Sequence, residues 1–333
     1  MIAYTSVTSQ TPNLLHMESK IILAGLKKSG KSSILKVLFG KVSPHETMYL
    51  DPTQGIKQEP PLTNRLMSQC RLTEVSGAWP WEETPQEYDG NLFSNCQSLV
   101  LVVDASDEAQ AGLIHALNLC RKVVGRAWRV KPSINVELFL HKSDRNYRFD
   151  TEAFGDAKLG FMREVSGQFA ELLKPLGKNP DFVTHCTSIF DSSLYDAFSK
   201  VVQRSLLKDG RIEGLMDLLV STSNLDKAFL FDLSSKVHFA TDTTPSDPLL
   251  CGLMQDMLEV IGDFGSIYGQ KGKLEAGAAC TIGLNNGQNL YMRVLDATGL
   301  ALVCLIREGH CDRMHLLNRN IKSFFSALEM TVK

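Results

Sequence analysis

The sequence has little clustered cysteine or histidine. Its eight cysteines stand apart, without a Cys-x-x-Cys pair. Its histidines show no i, i+4 pairing, and no cysteine or carboxylate lies near them at the spacing of a metal site. These absences exclude a zinc finger and a disulfide framework, so we expect reduced thiols packed in the core of a cytoplasmic protein. The motifs GxSxG and HExxH are also missing, which removes two large hydrolase classes.

Strong net charge and long apolar runs are absent too. The formal net charge is −2, with 44% hydrophobic and 22% charged residues. We therefore expect a soluble protein with no nucleic-acid partner, in which any membrane attachment comes through partner proteins. Residues 1–19 carry no signal-peptide or transit-peptide pattern, and we expect a disordered lead-in there.

The length of 333 residues favours two domains. Between residues 20 and 207, short apolar runs alternate with helical patterns. Strands are predicted at 21–25, 99–103, 135–140 and 182–187, and helices at 31–40, 109–124, 161–176 and 194–206. This alternation predicts an α/β domain with a doubly wound parallel sheet.

A polar break at Lys208-Asp-Gly-Arg211 separates a second predicted domain, residues 208–333. Its pattern predicts a helix at 212–220, a hairpin at 228–231 and 237–240, and a helix at 249–261. Three strands, at 279–284, 290–295 and 300–306, precede a final helix at 315–331. We expect an α+β meander with its helices on one face of the sheet.

The stretch Gly25-Leu-Lys-Lys-Ser-Gly-Lys-Ser32 has the GxxxxGK[ST] spacing of a phosphate-binding loop. Gly25 and Gly30 allow the loop to fold back, so that its backbone amides point at a phosphate chain. Lys31 is expected to reach the terminal phosphates, and the Ser32 hydroxyl to bind Mg²⁺. The predicted nucleotide-binding set also includes the neighbours Lys28, Ser29 and Ser33. The alternative is a glycine-punctuated turn before a helix.

A second motif, His141-Lys-Ser-Asp144, follows a predicted strand. The Asp144 carboxylate can accept two hydrogens from guanine, a contact that adenine cannot make. The Lys142 stem is expected to cover the base while its ammonium reaches the phosphate loop. Further along, a backbone amide near Ser188 and Ile189 could approach the base oxygen. The alternative is an ordinary polar loop after a strand.

Together these motifs resemble the Rag GTPases, and specifically the RagC/RagD-type subunit. The resemblance rests on GLKKSGKSSILKVLFGKVSPHETMYLDPT, INVELFLHKSD, TSIFDSSLYDAFSKVVQ and NLDKAFLFDLSSKVHFATDTTPSD. It implies a Ras-like domain that binds GTP or GDP with Mg²⁺, followed by a roadblock (longin-like) domain. It also implies a heterodimer with a RagA/RagB-type subunit, which relays amino-acid availability to the TOR kinase complex with lysosomal scaffold proteins at the lysosomal or vacuolar surface.

By this resemblance, Thr53 is the first-switch threonine, which senses Mg²⁺ and the terminal phosphate; the alternative is a plain loop threonine. The second switch departs from the Asp-x-x-Gly-Gln of Ras-like proteins, because the chain has Glu74-Val-Ser-Gly77-Ala78. Glu74 keeps the charge for a metal contact and Gly77 is expected to bind nucleotide, but Ala78 cannot orient a water molecule. We therefore expect slow or partner-dependent GTP hydrolysis, with no catalytic residue identified.

Two alternatives stay open. The chain could be an active hydrolase that uses a non-standard residue such as Gln54 or Glu82. It could instead be a structural pseudo-GTPase that holds nucleotide permanently or not at all. Trp79 and Trp81, which follow the divergent second switch, suit either core packing or an exposed partner interface.

Overall fold

The computed structural model describes residues 19–60, 66, 70–146, 154–177, 181–206, 210–245, 248–269, 274–307 and 314–331, and only the backbone of residues 107, 108, 110, 154, 155 and 248. Residues 1–18 of the predicted lead-in therefore lie outside the described residues, and so does Cys311. No helix in the described part of the chain is long and apolar enough to cross a membrane.

The first sheet has six strands among these residues, in the order β2-β3-β1-β4-β5-β6. All neighbouring strands are parallel except β2, which pairs antiparallel with β3 at the edge. The strands are β1 (Ser19–Ala24), β2 (Ile56–Gln58), β3 (Cys70–Val75), β4 (Cys96–Asp104), β5 (Asn135–His141) and β6 (Phe182–Thr187). The predicted parallel α/β sheet is thus confirmed.

Five helices accompany this sheet: α1 (Lys31–Gly40), α2 (Glu87–Phe93), α3 (Leu113–Val130), α4 (Phe154–Leu173) and α5 (Ser193–Leu206). Apolar side chains of α1 and α5 pack on one face, and those of α2, α3 and α4 pack on the other. Because both faces are covered, β4 is buried along nearly its whole length. The predicted helix at 109–124 begins later and runs further, since residues 107–112 form a 3-10 turn that contains Gly112.

The second sheet has the order β8-β7-β11-β10-β9 and is antiparallel throughout. Its strands are β7 (Lys227–Asp232), β8 (His238–Thr241), β9 (Ala279–Gly283), β10 (Asn289–Val294) and β11 (Leu300–Ile306). The helices around it are α6 (Arg211–Ser223), α7 (Pro248–Tyr268) and α8 (Met314–Thr331).

The expectation that all helices of this part lie on one face of the sheet is wrong. Apolar side chains of α6 and α8 pack against Leu230 and Leu302, whereas those of α7 pack against Phe229 and Val303 on the opposite face. The physical reason is visible in β7 and β11, which are buried along their whole length and so need cover on both faces.

The two sheets share one hydrophobic cluster. Val201 and Phe198 of α5 belong to the same buried group as Phe239 of β8 and Met216 of α6. The first strand begins at Ser19, α5 ends at Leu206 and α6 begins at Arg211. Residues 207–209, where the domain boundary was placed, lie outside the described residues, so the division into 1–19, 20–207 and 208–333 stays a prediction.

The described cysteines are free thiols, as expected, and all but Cys280 are buried. Burial raises the pKa of Cys70, Cys96, Cys120 and Cys186 to about 12. These four thiols are therefore protonated at neutral pH and act as small apolar side chains.

Candidate nucleotide-binding site

A cavity of about 660 Å³ lies at the carboxyl edge of the first sheet. Strands β1, β3, β4, β5 and β6 are parallel, so their carboxyl ends meet at this edge, which is where doubly wound sheets bind ligands. The volume lies in the range of small-molecule sites. Twelve of the predicted site residues line it: Lys28, Gly30, Lys31, Ser32, Ser33, Thr53, Glu74, Gly77, His141, Lys142, Asp144 and Ile189. Gly25, Ser29 and Ser188 do not line it and lie buried behind its wall.

The phosphate loop connects β1 to α1 and is packed tightly against the base-binding motif. A Cβ atom on Gly30 would lie 2.4 Å from Cδ2 of His141, and the φ angle of Gly30 is +101°. A side chain at this position would therefore push the two motifs apart and strain the backbone. Gly30 thus fixes the distance between the phosphate end and the base end of the cavity.

Lys31 is buried at the bottom of the loop. Its ammonium donates hydrogen bonds to the carbonyl oxygens of Gly25, at 3.0 Å, and Leu26, at 2.8 Å. Burial lowers the Lys31 pKa to about 8, although the nearby Glu74 carboxylate works in the opposite direction. A phosphate anion in the loop would favour the charged ammonium and offset this cost of burial.

Three oxygen-bearing side chains meet beside the loop. The Ser32 hydroxyl donates to Oε1 of Glu74 at 2.5 Å, and the Thr53 hydroxyl lies 3.0 Å from the same oxygen. The two hydroxyls are 2.9 Å apart. Glu74 is only 1% exposed, and its Oε2 atom has no hydrogen-bond partner among the described residues.

These groups fit a magnesium ion. Mg²⁺ prefers oxygen ligands and takes one or two carboxylates together with substrate phosphates. An unpartnered carboxylate oxygen in a buried place carries a desolvation cost that a cation would relieve. The structure therefore brings together the three predicted metal ligands, Ser32 from its motif and Thr53 and Glu74 from the family resemblance. Glu74 is one methylene longer than the aspartate of Ras-like proteins.

The backbone of Thr53, the predicted first-switch threonine, is also held in place. The Ser76 hydroxyl donates to the Thr53 carbonyl at 2.7 Å, and the Ser76 amide donates to the Gly55 carbonyl at 2.8 Å. The role of Ser76 was missed from the sequence, because a serine between Glu74 and Gly77 has no motif of its own. Next to it, a Cβ atom on Gly77 would lie 2.2 Å from the Lys27 backbone nitrogen, so only glycine allows this approach to the phosphate loop.

Asp144 lies at the far end of the cavity. Its Oδ1 atom accepts a hydrogen bond from the Ser188 hydroxyl at 2.5 Å, which orients the carboxylate toward the cavity. The Ser188 amide donates to the Ser193 hydroxyl at 3.0 Å and is therefore already used. In this loop the Ile189 amide has no partner among the described residues, which makes it the better placed donor for a base oxygen.

Lys142 differs from its expected position. Its ammonium is ion-paired with Asp104 at the end of β4, and does not reach the phosphate loop. Lys142 is drawn to the negative charge of Asp104. Burial opposes ionisation of Asp104, but hydrogen bonds from Lys142 and Ser106 outweigh it and lower the Asp104 pKa. Asp104 was missed, although a carboxylate at the end of a strand adjacent to β5 could have been found from the strand pattern.

His141 acts as a structural member of the site. Its Nδ1 atom lies 2.9 Å from the Thr187 hydroxyl, and burial lowers its pKa to about 4. The imidazole is therefore neutral at physiological pH and packs against Gly30 as an uncharged ring.

The structure also shows where the two candidate catalytic residues and the two tryptophans lie. Ala78 is exposed and lines a surface groove together with Gln54 and Trp79. Glu82 is turned away from the site and is ion-paired with Lys122 on α3. Trp81 is buried in the core, whereas Trp79 is half-buried. The structure therefore places Gln54 near the nucleotide cavity and Glu82 away from it.

Comparisons with known proteins agree with these motifs. Residues 20–257 match the family model of the Gtr1/RagA G protein conserved region. The chain is 33% identical to human Ras-related GTP-binding protein C over 93% of this chain and 75% of that protein. It is 31% identical to GTP-binding protein GTR2 of Saccharomyces cerevisiae over 94% of this chain and 92% of that protein.

A solved structure of Myxococcus xanthus MglB resembles part of the chain, with 18% identity over 36% of this chain and 94% of that one. Its TM-score of 0.28 is too low to support an inference about the fold. The family match and the identity to the two curated proteins lead to one conclusion: the chain belongs to the Gtr1/RagA family of G proteins and is of the RagC/RagD type.

Proposed function

We propose that this protein is a guanine-nucleotide-binding switch subunit. The observation that carries the proposal is the arrangement within one cavity: Ser32, Thr53 and Glu74 meet at the phosphate loop, and Asp144 lies at the opposite end. In this proposal Lys31 neutralises the terminal phosphates. Asp144 accepts the N1 and 2-amino hydrogens of guanine, while the Ile189 amide donates to the base oxygen. Bound Mg²⁺ would supply a positive charge to the phosphate oxygens.

Hydrolysis is proposed to be slow unless a partner supplies a catalytic group. Ras-like hydrolysis uses a glutamine to orient the attacking water, and Ala78 offers only a methyl group in that position. Binding does not depend on this residue, since Lys31, the loop amides and Asp144 remain. An active enzyme that uses Gln54 is the second candidate, favoured by the place of Gln54 in the groove beside Ala78.

The second sheet is proposed to be a roadblock-type dimerisation domain. Strand β9 lies at the edge of this sheet and pairs only with β10 among the described strands. On the adjacent helix α7, a stripe of apolar side chains is exposed at Leu253, Val260, Phe264 and Ile267. An apolar stripe beside an open strand edge suits pairing with a homologous RagA/RagB-type subunit. With that partner, family membership suggests a relay of amino-acid availability to the TOR kinase complex at the lysosomal or vacuolar surface.

A single-turnover assay tests this function. The subunit, in complex with a partner made unable to bind nucleotide, is loaded with radiolabelled GTP, and bound GTP and GDP are separated over time. We expect bound GTP to persist and to be displaced by GDP but not by ATP. Rapid conversion of bound GTP to GDP would contradict slow hydrolysis and direct attention to Gln54→Ala.

Two variants at one position sharpen the test. Ala78→Gln is expected to raise the hydrolysis rate by about tenfold or more, since an oriented water reacts faster. Ala78→Leu is the matched control, which enlarges the side chain without a polar group and is expected to leave the rate unchanged. If the protein binds no guanine nucleotide at all, the structural pseudo-GTPase becomes the better description.

A further inference from the structure

We propose that the first switch, residues 43–55, reports the nucleotide state, whereas residues 79–89, called here the clamped segment, keep one conformation with GTP or GDP. This inference rests on the proposed function, because it concerns how a bound nucleotide is read by partner proteins. It assigns a state-sensitive surface to the first switch and a state-insensitive surface to the clamped segment.

Arg126 of α3 holds the clamped segment from inside the protein. This side chain is 6% exposed, and its Nε atom donates to both carboxylate oxygens of Asp89 at 2.9 Å. One terminal nitrogen donates to the Trp81 carbonyl, and the other donates to the carbonyls of Thr84 and Pro85 at 3.1 and 3.2 Å. One buried cation thus binds four positions along the segment.

The segment is also anchored in the hydrophobic core. Trp81 is 8% exposed, and its ring stacks on Phe93 with centroids 6.4 Å apart. The guanidinium of Arg126 lies 5.6 Å from the centre of the same indole ring, in cation–π geometry. Moving the segment would expose this indole and separate Arg126 from Asp89, and an unpaired buried charge is strongly unfavourable.

The first switch is held more weakly than the clamped segment, by hydrogen bonds from Ser76 to the Thr53 and Gly55 carbonyls and by a ring contact between His45 and Phe190. Met48 and Tyr49 are 68% and 84% exposed on a 3-10 turn (Pro44–Tyr49). The Thr53 hydroxyl contacts Ser32 and Glu74, two of the groups that a metal ion would rearrange. A change at the terminal phosphate therefore acts directly on Thr53 and has little packing to overcome in the turn before it.

The asymmetry has a consequence for recognition. A partner that distinguishes GTP from GDP has to contact the first switch, where the exposed Met48 and Tyr49 offer apolar contact area. A partner that contacts the clamped segment, for example at the exposed Tyr88, binds both states equally. A ligand shifts an equilibrium only through different contacts with the two states.

Hydrogen exchange on the full chain tests this inference. The protein is loaded with Mg²⁺ and either GDP or a non-hydrolysable GTP analogue, and exchange is measured in peptides covering 43–58 and 79–93. We expect the analogue to slow exchange about fivefold or more in the first switch, with a change of less than about twofold in the clamped segment. An equal response of both segments would overturn the inference.

Variants test the cause of the asymmetry. Arg126→Gln is expected to speed exchange of the clamped segment about tenfold or more in both nucleotide states. Asp89→Asn is a second variant and is also expected to speed exchange of the clamped segment. If one of the two variants fails to fold, the other still tests the clamp. Arg129→Gln is the matched control, since Arg129 is exposed on the same helix. Unchanged exchange in both Arg126→Gln and Asp89→Asn would refute the clamp.

Failure of the proposed function gives a different result. Binding of a fluorescent GDP is measured before the exchange experiment, so absence of binding overturns the proposed function and this inference together. Normal binding with equal changes in both segments overturns only the inference.

Discussion

Glu74 is the single residue on which the proposed metal chemistry depends most. It is buried, one carboxylate oxygen accepts the Ser32 and Thr53 hydroxyls, and the other oxygen has no partner in the described part of the chain. Replacement of the usual aspartate by glutamate therefore keeps a negative charge at the loop, while the loss of glutamine at Ala78 removes a function. The two departures are expected to act on different properties, metal binding and hydrolysis.

Magnesium dependence tests this role of Glu74. Removing Mg²⁺ with a chelator is expected to speed GDP release from the wild-type protein by about tenfold or more, because a metal ligand is worth at least that much in affinity. In Glu74→Gln the neutral amide binds Mg²⁺ poorly, so release is expected to be fast with or without the metal. The rate at which a fluorescent GDP is released, with and without Mg²⁺, is measured for both proteins.

A surface carboxylate provides the control. Glu82→Gln removes a charge that is exposed and paired with Lys122, away from the cavity, and it should behave like the wild type. If Glu74→Gln keeps the full magnesium response, then Glu74 is not a metal ligand.

At the scale of elements, α5 joins the two sheets. The amide of His238 in β8 donates to the Ser199 hydroxyl of α5 at 2.9 Å, and Gln203 donates to the His238 carbonyl at 3.2 Å. The His238 ring is buried between Phe229 and Phe231, with centroid distances of 5.5 and 5.7 Å. Burial is the main reason that the His238 pKa is lowered to about 4.

This buried imidazole predicts that the stability of the fold is sensitive to acid. An unfolded histidine has a pKa of about 6.5, so between that pH and about 4 the unfolded chain binds a proton that the folded chain does not. The free energy of unfolding therefore falls as the pH is lowered through this window, by up to about 3 kcal/mol for this residue. Above about pH 6.5 the contribution is constant.

Thermal unfolding at about pH 7.5 and about pH 5 measures the effect. The wild-type protein is expected to lose more stability on acidification than His238→Gln, which cannot take up the proton. His315→Gln, at an exposed position of α8, should follow the wild type. An identical drop in wild type and His238→Gln would show that another group controls the acid response.

At the scale of the whole molecule, the exposed stripe on α7 predicts how the subunit assembles. The double substitution Phe264→Asp and Ile267→Asp places two charges where apolar contacts are proposed. Each buried large apolar side chain is worth about 1.5–3 kcal/mol, so affinity for a RagA/RagB-type partner is expected to fall by about 100-fold or more. Sedimentation of the purified subunits, alone and mixed, measures the complex.

An exposed leucine elsewhere gives the matched control for assembly. Leu218→Asp lies on α6, on the opposite face of the second sheet from α7, and should leave the complex intact. Circular dichroism checks that each variant is folded. Normal assembly of the α7 variant would move the proposed interface away from this helix.

Most secondary structure was predictable, and the exceptions share a cause. The helix Lys31–Gly40 and the strand Phe182–Thr187 have the predicted bounds, because apolar periodicity marks elements that cover a core. The strand Ile56–Gln58 was missed, since all three of its residues are exposed at a sheet edge and carry no pattern. The helix Glu87–Phe93 was missed too; it is short, contains Gly90 and depends on the tertiary pair between Asp89 and Arg126.

The phosphate loop and the Asp144 motif could be recognised from the chain because their geometry is local. Spacing within eight residues sets which amides and side chains face a phosphate, and a strand directly before each motif places it at the edge of the sheet. The family resemblance followed from these motifs together with two further stretches, residues 187–203 and 224–247. The tertiary structure decided what joins distant positions. Ser32 and Glu74 meet through the register of β1 and β3, and Lys142 turns to Asp104 across neighbouring strand ends. Arg126 reaches the segment after Trp79 only because α3 packs beside α2, and such contacts depend on packing that no local pattern records.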